Sequence, residues 1–224
     1  FDHTADLPAF LLTRWDHSIG DEAQLNVFGP EHTEEMIDRL IGENGAFAFD
    51  LNARVNHKLS KIMYTLRGGE LPRPKPDFNV ADVSTGVVVE GDGFRVTAQR
   101  VEHVQPQLES NAYRLDTDDI SVVFTGDAAA CDHIVELASG ADVLVSLCGN
   151  FQSELKRKDV ESGQIGSISA AEIAAEAGVE QLVMVHMGAD ISSEQGRVRA
   201  LDEMKPIYDG EIIVSDEMMS YDLR

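Results

Sequence analysis

The segment 120–127 has the sequence ISVVFTGD, in which an apolar, β-branched run ends in a carboxylate. Such a run predicts a buried strand. Gly126, directly before Asp127, permits a sharp turn at the end of that strand and lets a ligand approach closely. The segment therefore predicts a strand that brings a functional carboxylate to the edge of its sheet.

Two histidines follow runs of the same kind. His103 comes shortly after the strand-like segment 94–101, and His186 comes directly after 182–185. Parallel or mixed strands of one sheet end at the same edge, where ligand-binding crevices form, so we expect both imidazoles to meet Asp127 there. Imidazole nitrogens suit zinc and a carboxylate can bridge two ions. The three residues therefore predict the divalent-metal site of a hydrolase.

Helices and strands alternate along most of the remaining chain. The predicted helices are 4–13, 33–41, 132–139, 169–177 and 193–206, and the further strands are 24–28, 86–90, 111–115, 141–147 and 211–214. Segment 44–84 contains a Gly-Gly pair and three prolines, so we expect it to be irregular and to act as a lid or substrate loop. We predict one α/β domain over 1–224, with helices packed outside a pair of sheets.

The charge and the cysteines restrict the class of protein. The chain has 40 acidic and 18 basic residues, a formal net charge of -22, and such a surface repels phosphate backbones. We therefore do not expect a nucleic-acid partner. No run of about 18 apolar residues is present, so no membrane span is predicted. Cys131 and Cys148 form neither a disulfide framework nor a C-x-x-C site, which favours a reduced, cytoplasmic protein.

The order of these residues resembles that of the metallo-β-lactamase superfamily, and within it the ribonuclease Z-like hydrolases. Their signature H-x-H-x-D-H lies between a strand and a helix, and Asp2-His3 matches its second half. His103, Asp127 and His186 match the later ligands in order. The resemblance implies the four-layer αββα sandwich of that superfamily. It also implies that the N-terminal strands and the first two histidines of the signature precede Phe1.

The resemblance also implies a role for each matching position. The implied metal ligands are Asp2, His3, His103, Asp127 and His186. Asp127 would bridge two Zn²⁺ ions per subunit once the N-terminal histidines are present, with Mn²⁺ or iron as alternatives. A metal-bound hydroxide would attack the substrate, and Asp2 would act catalytically by accepting the proton of the attacking water. The family analogy further predicts a homodimer.

The substrate is expected to be a small molecule. Members that process transfer RNA carry a histidine in a short loop before the helix that leads to the last ligand, and the corresponding segment 163–169, GQIGSIS, has none. Together with the net charge, this favours an ester, lactone, amide or phosphodiester as substrate. Two alternatives stay open: a ribonuclease Z-type phosphodiesterase that processes the 3′ end of transfer RNA, and a degenerate, non-catalytic protein of the same fold.

Residues outside this set receive lesser roles. The remaining histidines lie in helical or loop settings and are expected at the surface, namely His17, His32, His57 and His133. Carboxylates that could accept a hydrogen bond from a ligand histidine are Asp142, Asp216 and Glu217. Segment 150–157, which follows the strand predicted at 141–147, is expected to form part of the pocket rim.

Overall fold

Two units, Phe1–Asp82 and Val83–Arg224, make up the chain. The structure is a computed structural model that describes residues 1–20 and 24–221. None of the helices in this described part is long and apolar enough to cross a membrane. The single domain over 1–224 stays a prediction, and each unit is considered by itself.

The first unit combines four helices with two short strands in its described residues. They are α1 Leu7–His17, β1 Leu25–Gly29, α2 Thr33–Ile41, α3 Ala48–Asn56, α4 Lys58–Leu66 and β2 Phe78–Asp82. The strands β1 and β2 pair in parallel, with Leu25 opposite Phe78. The prediction of irregular structure over 44–84 is wrong, because α3, α4 and β2 all lie there. Leu51 and Tyr64 are almost fully buried, which stabilises the two helices by tertiary packing.

The end of β2 holds the start of α2. His32 precedes the helix with a φ of 79° and makes no capping hydrogen bond with its own side chain. The carboxylate of Asp82 takes this role, accepting hydrogen bonds from the backbone N–H groups of His32 at 3.0 Å and Glu34 at 2.9 Å. These hydrogen bonds, that of Glu34 above all, hold the pKa of the Asp82 carboxyl below its usual value. The strand pair and the helix are thereby joined at one point.

A buried cation lies inside the first unit. The guanidinium of Arg73 stacks over the rings of Trp15 at 4.2 Å and Tyr64 at 5.0 Å, and its side chain is 5% exposed. Its Nη2 donates to Asp16 Oδ1 at 2.7 Å, and Arg67 donates to Asp16 Oδ2 at 3.0 Å. One carboxylate therefore neutralises a guanidinium that two aromatic rings remove from water.

The second unit is built on one seven-stranded sheet with the strand order β3-β4-β5-β6-β7-β8-β9. Its strands are β3 Gly86–Gly91, β4 Phe94–Val101, β5 Ser110–Thr117, β6 Ser121–Phe124, β7 Val143–Leu147, β8 Gln181–Val185 and β9 Glu211–Val214. Its helices are α5 Asp132–Ala138, α6 Gln152–Lys158, α7 Ser167–Ala177, α8 Ala189–Ser192 and α9 Glu194–Met204. The two predicted hairpins, β3–β4 and β5–β6, are both present as antiparallel pairs.

The strand directions decide where the strand ends meet. β6, β7, β8 and β9 are parallel to one another. β4 is antiparallel to β5, and β5 is antiparallel to β6, so β4 points in the same direction as the parallel set. The carboxyl ends of β4, β6, β7 and β8 therefore lie along one edge of the sheet.

The core of the second unit lies between the sheet and the helices α5, α7 and α9. Leu144, Leu182 and Met184 are fully buried on the strands. Ala170 and Ala174 of α7 are also fully buried, and their small side chains let the helix approach the sheet closely. A smaller apolar cluster of Val122, Val143 and Val183 forms from neighbouring strands, in agreement with strands that are apolar on both faces.

Candidate metal centre

Asp127 lies on the turn that follows β6. Thr125 fixes this turn: its buried hydroxyl donates to the carbonyl of Gly126 at 2.8 Å and accepts the N–H of Leu147 at 3.0 Å. Gly126 has a φ of 60°, and a Cβ there would lie 3.3 Å from the carbonyl oxygen of Asn111. Glycine is therefore the residue that this turn favours, as the sequence predicts. The side chain of Asp127 is 18% exposed.

His186 is brought to the same carboxylate. It follows β8 directly and has a φ of 52°, in the left-handed region that residues other than glycine rarely adopt. Its Nε2 lies 3.5 Å from Oδ2 of Asp127, and its side chain is 56% exposed. Next along the chain, the N–H of Gly188 donates to the carbonyl of Gly149 at 3.0 Å, which ties the loop to the end of β7. The structure thus brings together two of the predicted site residues.

Three hydrogen bonds hold His103 and its neighbour Gln105 in the loop after β4. Gln105 accepts the backbone N–H of His103 at 2.6 Å through its Oε1 and donates to the carbonyl of Val101 at 2.7 Å. The ring Nδ1 lies 2.7 Å from the carbonyl oxygen of Gly163, an acceptor, so Nδ1 carries the proton. The lone pair of the imidazole is therefore on Nε2, which is the form a metal ligand needs.

The loops that carry His103 and Asp127 are joined through the backbone. The N–H of Ala129 donates to the carbonyl of Glu102 at 2.7 Å. His103 also lines a cavity of about 490 Å³ together with Arg100, Gln105 and His133. The sequence did not single out Gln105 or the carbonyl of Gly163, and no composition or spacing pattern marks either as a neighbour of His103.

Asp2 and His3 lie in the first unit, and both are exposed. Oδ2 of Asp2 lies 3.9 Å from Nε2 of His3. The hydrogen bond from its own backbone N–H holds the pKa of the Asp2 carboxyl below its usual value. The ligand roles of both residues stay predictions.

Asp127 and His186 fit a divalent metal in donor type and spacing. At metal–ligand distances of about 2.1 Å, tetrahedral donors lie roughly 3.4 Å apart, close to the separation of these two atoms. Across residues 1–20 and 24–221, however, no three His, Cys, Asp or Glu side chains come close enough to hold an ion. Cys148, just after β7, is not a candidate thiolate, because burial raises the pKa of its thiol to about 12. The pair supplies two donors and needs others.

The lesser sequence predictions have mixed outcomes. All four remaining histidines, His17, His32, His57 and His133, are exposed as expected. Asp142 is not a partner of a ligand histidine, because it precedes β7 at the opposite edge of the sheet. There its Oδ2 accepts hydrogen bonds from the N–H and hydroxyl of Ser121. Asp216 pairs with Arg197 instead, and Glu217 is exposed.

One prediction tests the loop that holds His103. Replacing Gln105 by leucine removes both backbone hydrogen bonds at the end of β4, while Gln105→Glu keeps an acceptor for the N–H of His103. We expect the leucine variant to bind divalent metal about 10- to 100-fold more weakly, the range for partners that orient a ligand. The glutamate variant should lose less of its affinity for divalent metal. Zinc titration by calorimetry measures this, and equal affinities for the two variants would contradict it.

Comparison with known proteins identifies the family. The family model for the β-lactamase superfamily domain matches residues 1–187. The chain is 31% identical over 208 residues to Ribonuclease Z of Mycobacterium marinum, an alignment that spans 89% of this chain and 69% of that protein.

Solved structures agree in fold. The metallo-β-lactamase fold protein YhfI of Bacillus subtilis matches with a TM-score of 0.62 at 18% identity, over 96% of this chain and 70% of that one. Human tRNase Z, short form, matches with a TM-score of 0.60 at 15% identity, over 97% of this chain and 73% of that one. At such identities these structures establish the fold alone.

The chain belongs to the β-lactamase superfamily, and within it to the ribonuclease Z-like proteins. It is a hydrolase of the metallo-β-lactamase fold, and the predicted family, fold class and enzyme class are confirmed. Membership of this superfamily also implies dependence on a divalent metal.

Proposed function

We propose that this protein is a metal-dependent phosphodiesterase of the ribonuclease Z type that acts on precursor transfer RNA. The observation that carries the proposal is the similarity to the Mycobacterium marinum enzyme over nearly nine-tenths of the chain, with the ordered site residues inside the aligned family region. This reverses the preference for a small-molecule substrate that the sequence favoured. The net charge describes the whole surface, whereas a substrate meets only one part of it.

The site residues receive the following roles in this proposal. Asp2, His3, His103, Asp127 and His186 would hold the metal, and zinc suits a set of imidazole and carboxylate donors. Bound there, a divalent cation would lower the pKa of a coordinated water and polarise the scissile phosphoryl oxygen. Asp127 and His186 contribute adjacent donors, and the carbonyl of Gly163 accepts from Nδ1 of His103, which among the neutral tautomers selects the one with its lone pair on Nε2. Asp2 would accept the proton of the attacking water through its carboxylate.

A small-molecule hydrolase is the second candidate, and two observations favour it. The net charge of -22 opposes a polyanionic substrate. The segment 163–169 lacks the histidine seen in transfer-RNA-processing members, and the structure uses Gly163 there to position His103.

A substrate panel separates the two candidates. We expect the zinc-loaded protein to cleave a precursor transfer RNA at its 3′ side and to hydrolyse bis(p-nitrophenyl) phosphate, with both activities lost in chelator. The matched substrates are a lactone and a p-nitrophenyl ester at the same concentration. Turnover of the ester or lactone without cleavage of the RNA would replace the nuclease by the small-molecule hydrolase.

A further inference from the structure

The negative charge of this chain is not neutralised by its own cations. The sequence has 40 acidic residues against 18 basic ones. Ten arginines of the described residues already pair with a carboxylate. Few cations therefore remain for the other carboxylates, and a net charge far from zero destabilises a compact chain through repulsion within it.

Carboxylates without an ion pair face one another on three helices. Each of these helices carries two exposed acidic residues four positions apart, namely Glu34 and Asp38 on α2, Asp132 and Glu136 on α5, and Glu172 and Glu176 on α7. Across residues 1–20 and 24–221, none of these six carboxylates forms an ion pair. Side chains four positions apart are neighbours on a helix surface, and like charges there destabilise the helix.

The helix ends of α5 and α7 add a second source of repulsion. Glu136 lies two residues before the end of α5, and Glu176 lies directly before the last residue of α7. Neither helix has a basic residue in its last turn. The carbonyl groups at the end of a helix carry partial negative charge, which favours a cation and disfavours a carboxylate. Both glutamates are therefore unfavourably placed twice over.

Carboxylates from separate segments also converge around Tyr208. Glu180 and Glu211 are held together through the backbone, where the N–H of Glu211 donates to the carbonyl of Glu180 at 3.1 Å. Gln181 donates to the carboxylate of Glu211 at 2.7 Å but brings no charge. Burial, and after it the charges of Asp209, Glu180 and Glu211, raises the pKa of the Tyr208 hydroxyl to about 12. Repulsion between acidic groups is thus not confined to single helices.

We propose that this protein folds stably only at high ionic strength, where dissolved monovalent cations supply the counter-ions that its own side chains lack. At 0.1 M salt the Debye length is about 10 Å, longer than the roughly 5–6 Å between facing carboxylates. At 1 M it is about 3 Å, so this repulsion is largely screened. The inference goes beyond the proposed function, because it depends on no substrate.

The candidate metal centre depends on the same helices. α5 and α7 pack on the sheet whose edge carries Asp127 and His186. Conditions that weaken the two helices therefore remove the support of the site. Ionic strength would in this way control whether the protein is active.

Thermal unfolding of the protein, followed by circular dichroism in KCl, tests the inference. We expect the midpoint to rise by about 10 °C between about 0.1 and 1 M KCl, since repulsion is screened in the folded state. NaCl should act equally, because screening depends on ionic strength and not on the identity of the cation. A midpoint that stays the same or falls in 1 M KCl, or one that rises with KCl alone, overturns the inference.

The double variant Glu136→Gln/Glu176→Gln locates the repulsion. Glutamine has nearly the helix propensity of glutamate, so the change removes charge alone. We expect the midpoint in 0.1 M KCl to rise by roughly 4 °C, and by less than half of this in 1 M KCl. The control Glu90→Gln/Glu154→Gln removes the same charge from carboxylates that pair with Arg95 and Arg157, and it should not raise the midpoint. Equal midpoints for the first variant and the unaltered protein, or an equal rise in the control, contradict the assignment.

Hydrolysis of bis(p-nitrophenyl) phosphate by the zinc-loaded protein separates this inference from the proposed function. At a temperature between the two midpoints, turnover should be present in 1 M KCl and absent in 0.1 M KCl. If the midpoint rises with salt but no phosphodiester is cleaved in either buffer, the folding inference stands and the proposed function falls. If cleavage is equal in both buffers and the midpoint does not move, the folding inference falls and the proposed function stands.

Discussion

Replacing Asp127 by alanine lowers the turnover of bis(p-nitrophenyl) phosphate at least about a hundredfold and reduces the metal content of the purified protein. Residues that only orient a metal ligand contribute about 10- to 100-fold to metal affinity or activity. Loss of a direct donor should therefore lower both by a larger factor. The carboxylate is mostly enclosed and lies 3.5 Å from Nε2 of His186, so its removal leaves that imidazole without the adjacent oxygen donor. Elemental analysis and initial rates at saturating zinc provide the two measurements.

Two further variants make this result specific. Asp127→Asn keeps the size of the side chain and loses its charge, so it should resemble the alanine variant if charge is what the metal requires. Asp92→Ala removes an exposed carboxylate from the turn between β3 and β4 and should leave metal content and turnover unchanged. An Asp127→Ala protein with unaltered metal and turnover would refute the proposed centre.

Local sequence patterns predicted most of the second unit, because its signals are short in range. Apolar β-branched runs give strands, and short turns between them give hairpins, so β4 occurs at the predicted bounds and both predicted hairpins are present. The prediction failed over 44–84, where Gly68, Gly69 and three prolines near the end of the segment outweighed the helical pattern before them. The helices there depend on buried Leu51 and Tyr64, whose packing no local pattern reports.

The candidate site, too, could be predicted from the sequence only in part. The meeting of Asp127 and His186 follows from strand direction, which a sequence with α/β alternation makes predictable. The contact of His103 with Gly163 joins segments that lie 60 residues apart in the sequence. Such contacts depend on how loops approach one another after the sheet has formed, and one sequence carries no pattern for that.

Replacing Asp16 by alanine is expected to destabilise the first unit by about 3 kcal/mol at neutral pH. The variant leaves the guanidinium of Arg73 buried between two rings without its carboxylate, and breaking a buried ion pair from one side typically costs about 3–5 kcal/mol. Partial exposure of Asp16 places the expected value at the lower end. Trp15 is the single tryptophan of the chain and contacts Arg73, so its fluorescence during urea denaturation reports this unit directly.

The pH dependence of this destabilisation tests whether the charge of Asp16 causes it. Burial alone would raise the pKa of the Asp16 carboxyl, but hydrogen bonds from Arg73 and Arg67 bring it below the usual value. Because the folded-state pKa is lowered, the stabilisation is complete above about pH 4 and is lost as the pH falls through the lowered pKa. At that lower pH, the free energies of unfolding of the unaltered protein and of Asp16→Ala should converge.

A double variant separates an unpaired charge from a general loss of packing. Asp16→Ala/Arg73→Leu removes the buried cation as well, and we expect it to recover part of the stability lost in Asp16→Ala. Asp50→Ala breaks an exposed pair with Arg54 and should cost less than about 1 kcal/mol. If the double variant is no more stable than Asp16→Ala, the cost does not come from an uncompensated guanidinium, and the carboxylate stabilises the unit through other contacts.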